Sequence, residues 1–393
     1  MQYPGRSGRF FLFMLFLSID YLSDAQDAFD SGRFAEARTK LESGPPSGAS
    51  AALLARIYLQ LKPPQRAAAA ARQAEQLAPS NPTVQHSLAL YFSVTQQRKL
   101  AALWEGRYAQ SPKADSATPL RAALLFDEVA DHRQAIAFGR QGLERGDRPE
   151  LRLLLSRSNE AIAKPDQTIS QYQALLLLLP YDESTHTGFS QSLLRLARFH
   201  DAATFLAEAR QNFDKSPQLE LAYGVALYTQ RRFAEAGTSF FRVIDLAPTV
   251  PQPYIFLTRM IDKLPDGVPA LRAAAESWLK NEPTNGFAPF VNNRTMQASN
   301  VGDDETKPLL LEAIRRDATV WEFPFELAQL LERQRDCPAA VRSYEKSCAL
   351  NSKVPESRYR LARLYDRPKK PTLAARERLA HQRLLAAPKG GTQ

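Results

Sequence analysis

The chain has 393 residues, 44% of them hydrophobic and 24% charged, and carries a formal net charge of +9. That length exceeds one ordinary compact domain and leaves two or three globular domains or one elongated repeat array, while the composition excludes a long disordered polar tract. Lys and Arg are scattered with no run longer than Lys369-Lys370 and no aromatic-interleaved basic stripe, so a solvated Arg-rich surface explains the charge better than nucleic-acid binding.

The N-terminus presents Arg6 and Arg9, an apolar run from Phe10 to Ile19, and small residues at Ser23 and Ala25. This is the layout of a secretory signal peptide over residues 1–25, and it predicts a periplasmic or secreted chain beginning at Gln26. The apolar run is shorter than the ~20 residues that span a bilayer. An uncleaved inner-membrane anchor and an ordinary first helix of the fold are the alternatives. No cysteine lies near the expected cleavage site to carry a lipid.

From there a period runs along the chain. Small residues recur at Ala37, Ala67, Ala101, Ala135, Thr168, Ala202, Ala236, Ala270, Thr306, Ala340 and Ala374, spaced 33 to 36 apart after a first step of 30. Thirteen residues before this marker stand large side chains such as Leu88, Leu155, Phe189, Tyr223, Leu257 and Leu361. Twelve before it stand small ones, Ala55, Ala89, Ala123, Ser156, Ser190, Gly224, Ala328 and Ala362. Large residues four apart mark the buried face of a helix, and small residues let a partner helix approach. Proline ends the unit at Pro79, Pro180 and Pro248. Each unit therefore reads as two short helices joined by a polar turn, and the chain as all-α.

Gly224, Ala236, Phe240 and Pro248 fall on the small, small, aromatic and proline positions of the tetratricopeptide repeat, a 34-residue helix–turn–helix unit that this period resembles over residues 26–388. The family's Trp near the start of the first helix is replaced, as by Tyr254. The resemblance implies a right-handed alpha-alpha superhelical solenoid of about eleven units, with first helices lining a groove that takes peptides or proteins.

One unit departs from the pattern. Counted from Thr306, the apolar or small places of its first helix hold Asn293, Arg294 and Gln297, so residues 286–305 read as a degenerate helix or a loop. The expected organisation is an N-terminal array over 26–285, a degenerate repeat or hinge over 286–320, a C-terminal pair over 321–388 and a tail over 389–393. The leucine run from Ala174 to Pro180 ends the second helix marked by Thr168. Set against Val243 to Pro248, it makes Leu175, Leu176 and Leu178 inter-repeat core, and Leu177 and Leu179 a surplus apolar patch.

Chemistry is sparse. The five histidines are dispersed with no helical i, i+4 pair, and Cys337 and Cys348 form no CxxC. On one helix those cysteines would stand roughly 16 Å apart, too far for a disulfide. Phosphate-cradling and nucleophile-elbow motifs are absent, so neither enzyme activity, nor a metal, nor a cofactor is expected.

The resemblance turns the position eleven residues before each marker into the groove: Arg56, Leu90, Leu124, Arg157, Gln191, Val225, Arg259, Thr295, Gln329 and Arg363. Four residues earlier come apolar ones, among them Leu221, Ile255, Val291, Phe325 and Tyr359. Arginine's planar fork suits carboxylates. The expected function is a scaffold or adaptor of the bacterial cell envelope, its groove binding an acidic, partly hydrophobic protein or peptide segment.

Overall fold

The computed structural model describes residues 21–366 and 370–386. The expected signal segment's arginines and apolar run lie outside the described residues, as does the tail from 387 onward. Among the described residues the chain is all-α and contains no strand.

Helices pair in chain order. The first compact unit, ending at Pro180, contains the helical residues 21–30 (α1) with α2 (Phe34–Ser43), α3 (Gly48–Leu61) with α4 (Pro64–Leu77), and α5 (Pro82–Val94) with α6 (Arg98–Ala109). It is completed by α7 (Thr118–Glu128) with α8 (His132–Arg145), and α9 (Pro149–Ala161) with α10 (Pro165–Leu178). The second unit, from Tyr181, contains α11 (Glu183–Arg195) with α12 (Phe199–Asn212), α13 (Pro217–Thr229) with α14 (Phe233–Leu246), and α15 (Pro251–Arg259) with α16 (Val268–Asn281). Then follow α17 (Phe287–Ala298) with α18 (Asp303–Arg316), α19 (Glu322–Arg333) with α20 (Cys337–Leu350), and α21 (Pro355–Asp366) with α22 (Pro371–Ala386). Many of these helices open on proline, whose fixed φ and missing N–H suit the first turn.

Two columns of small residues hold the hairpins together. In the first helices the buried slot is filled by Ala25, Ala55, Ala89, Ala123, Ser156, Ser190, Gly224, Thr258, Asn293, Ala328 and Ala362. In the second helices the fourth residue is buried every time, and in all but one it is the small marker read from the sequence. Gly224 shows how tight the packing is: a Cβ there would lie 2.7 Å from the fully buried Phe240 ring.

The turn inside each hairpin is also repeated. Lys62, Gln96, Ala130, Ala163, Ala197, Arg231, Asn300 and Arg335 all adopt left-handed backbone with φ between 55° and 67°, and Gly32 does so at 76°. The N–H of the residue after it donates back across the helix end, as from Gln97 to Phe92, Asp131 to Phe126, Arg198 to Leu193 and Arg232 to Leu227. This satisfies carbonyls that the helix end would otherwise orphan. Pro63 has no N–H to give, which explains why the second hairpin lacks that bond.

Three expectations are corrected by these frames. Helix α16 starts at Val268, so its slot is filled by Leu271, while Ala270 is exposed. The short 3-10 turns Ile261–Lys263 and Pro265–Gly267 lengthen the connection before α16 and shift it by one residue. Within 286–305, expected as a degenerate helix or a loop, residues 287–298 form helix α17, so the helix alternative holds and its frame is what changes. Four residues separate it from α18 where three separate α13 from α14, which moves its frame by one. Asn293 thus occupies the small slot, and its Nδ2 donates to the Thr306 carbonyl at 2.9 Å. Thr295, expected in the groove, is fully buried, and Arg294 takes the groove place instead.

The leucines form the third correction. At 100° per residue from Thr168, Leu177 points opposite the buried stripe and Leu179 returns to it. Leu177 is 85% exposed and Leu179 half-buried, while Leu178, expected in the core, is 40% exposed. Leu246, at the equivalent place in α14, is exposed as well. Leu177 and Leu179 therefore do not share a face.

Candidate partner-binding cleft

In the second unit the first helices converge on one cleft of about 350 Å³. Tyr228 of α13, Ile255 and Arg259 of α15, Phe290 and Arg294 of α17, Trp321, Glu322, Phe325, Glu326 and Gln329 in and beside α19, and Glu356 of α21 line it. Its walls are aromatic: Trp321 and Phe325 meet edge to face at 5.9 Å between centroids. Its charges are mixed. Arg259 Nη2 faces Glu322 Oε1 at 3.5 Å, and Arg294 Nη1 donates to Glu326 Oε2 at 3.2 Å. Arg294 also reaches the Thr258 carbonyl and Gln297 Oε1 at 3.4 Å.

The carboxylates are the more enclosed partners. The Glu322 and Glu326 side chains are 17% and 14% exposed, against 46% for Arg259. Burial pushes both carboxyls above the usual carboxylate range, with Arg259 opposing the shift at Glu322 and Arg294 opposing it at Glu326. Glu356 is already held by Arg360 at 3.1 Å, and Arg333 by Asp303.

Comparison with known proteins follows the same geometry. Residues 187–251, which run from α11 through α14, match the tetratricopeptide-repeat family model. A solved structure of Naa15/Naa10 bound to HypK-THB aligns over 95% of this chain and 69% of its own, with a TM-score of 0.56 and 12% identity. The chain's fold is that of the tetratricopeptide repeat. Yeast Tom70 aligns over 94% of this chain and 92% of its own, with a TM-score of 0.49 and 11% identity. No curated protein matches in sequence.

In this repeat protein the predicted groove residues meet different fates. Ile255, Arg259 and Gln329 come together in the cleft, joined by Phe325. Arg56 lies half-buried over the Phe29 ring at 4.7 Å, where burial lowers its pKa against the opposing charge of Asp30. Arg363 stacks over Tyr359 at 5.8 Å, both of them exposed. Arg157 and Gln191 are exposed, and Leu221 is half-buried. None of these six residues lines the cleft.

Sequence reading missed Arg294, Glu322 and Glu326. The signal for Arg294 was Asn300, a residue that tolerates left-handed backbone, standing one place earlier than its counterparts. Both cysteines lie on α20. Among the described residues no cluster of His, Cys, Asp or Glu could hold a metal ion, and no helix is long and apolar enough to cross a membrane.

Proposed function

We propose that the chain is a non-catalytic scaffold of the bacterial cell envelope, which grips a segment of a partner protein along its first-helix face. One observation carries this reading: five successive first helices, α13, α15, α17, α19 and α21, contribute to a single aromatic-walled cleft. Concave sites with placed polar groups are where binding concentrates. The similar fold of Naa15, solved with Naa10 and HypK-THB, supports a scaffold role. The signal-type N-terminus supports a place in the envelope.

Ala25 supports the form in which the N-terminal segment is retained and anchors the array. It fills the first repeat's small slot, so cleavage after it would cut through α1. Of the arginines behind the expected acidic partner, Arg259 already faces Glu322, and Arg294, which takes the groove place in α17, faces Glu326. The aromatic walls, rather than the arginines, then supply the grip.

A photo-crosslinking residue at Ile255 or Gln329, with Glu276 on the exposed side of α16 as control, tests the reading in cells. The cleft positions should trap one and the same polypeptide and the control none. Equal trapping at the control would sink the cleft assignment.

A further inference from the structure

The cleft is lined by three carboxylates and two arginines. Glu322 faces Arg259 only at 3.5 Å, beyond good hydrogen-bond length, and Glu326 accepts from Arg294 at 3.2 Å. An ionised carboxylate has about four acceptor sites. These two are enclosed among rings and have acceptor capacity to spare, while Arg259 is the more exposed member of its pair.

An acidic side chain entering here would meet three carboxylates, Glu322, Glu326 and Glu356, against two arginines that are already engaged. A cation gains on both counts. It is attracted to aromatic faces and forms short charge-assisted bonds with carboxylates. A cleft of about 350 Å³ suits one long side chain rather than a helix.

Resting on the protein-binding reading above, we infer that the cleft takes one arginine or lysine side chain from an otherwise apolar partner segment, seated against Glu322 and Glu326 between Tyr228, Phe290, Trp321 and Phe325. The incoming cation takes over Glu322 from Arg259, so Arg259 is a competitor for the site and not a ligand for the partner.

The test is a library of random eight-residue peptides panned on the full chain, followed by fluorescence anisotropy of an enriched peptide. Enriched sequences should share one Arg or Lys among apolar residues. Replacing that Arg by citrulline, which keeps the shape without the charge, should weaken binding at least about tenfold. Glu322→Gln and Glu326→Gln should each do the same with the thermal midpoint monitored, and Glu322→Gln leaves the Arg294–Glu326 pair intact. Arg259→Gln should leave binding unchanged or tighten it. Enrichment of Asp or Glu, with binding lost in Arg259→Gln, would overturn the inference. Peptides that need Phe325 but ignore charge would overturn it while leaving the protein-binding reading standing. Enrichment of nothing at all would overturn both.

Discussion

Two forms of the chain, one starting at Tyr21 and one at Gln26, separate retention of the N-terminal segment from its removal. In the longer form the Tyr21 hydroxyl donates to the Pro45 carbonyl at 2.7 Å, Ala25 is fully buried, and Leu22 packs half-buried against the cluster of Leu41, Leu53 and Ile57. The hydrogen bond is worth about 1 kcal/mol. Burying the Ala25 methyl adds about 0.8 kcal/mol and half-burying Leu22 about 1 kcal/mol. What remains of α1 in the shorter form, residues 26–30, is too short to hold as a helix by itself. The loss comes to about 3 kcal/mol, concentrated in the first hairpin because a repeat contacts only its neighbours. Hydrogen exchange of the α2 amides should therefore quicken about a hundredfold in the Gln26 form while the later hairpins keep their protection. Equal α2 protection in the two forms would refute the packing argument. Recovery of chains starting at Gln26 from cells would refute retention.

Three other outcomes follow from the packing and the turns. Gly224→Val drives a branched side chain into the Phe240 ring and should cost about 1–3 kcal/mol in urea unfolding; an unchanged midpoint would mean the slot has room. Ala197→Gly relieves left-handed backbone at φ 55° and should add about 0.5 kcal/mol after the entropy of the unfolded chain is counted; a lower melting temperature contradicts the turn geometry. Asp115 accepts from the Thr118 hydroxyl and N–H and lies beside Arg121, which brings its pKa from 3.8 down to about 2. Because that value is depressed, its contribution is present above 3.8 and lost as the pH falls through about 2. Asp115→Ala should flatten the stability profile across that window, by a small amount because the side chain is largely exposed; an acid titration that overlays the parent's would exclude this role.

The candidate cleft was half legible. Ile255, Arg259, Phe325 and Gln329 were found because the groove positions follow the same ruler as the core. Arg294 was lost to one extra turn residue between α17 and α18, since a one-residue shift turns a helix by 100° and exchanges a groove side chain for a buried one. The place of Glu322 is acidic in only two other first helices, at Glu150 and Glu356, and that of Glu326 in none, so neither carries a signal along the whole chain.

What the sequence determined by itself is the hairpin and its repetition. A buried small slot is a local demand, imposed by two helices of one unit, so it recurs wherever the unit recurs and can be counted from Ala37 to Ala374. Tertiary structure alone decided which charges are free and which faces stay exposed. Arg259 reads as an open guanidinium until α19, two repeats on, brings Glu322 against it. Leu178 reads as core until the direction of α10's buried stripe is known. Ion pairs and helix rotation depend on distances between units, and spacing along the chain does not encode them.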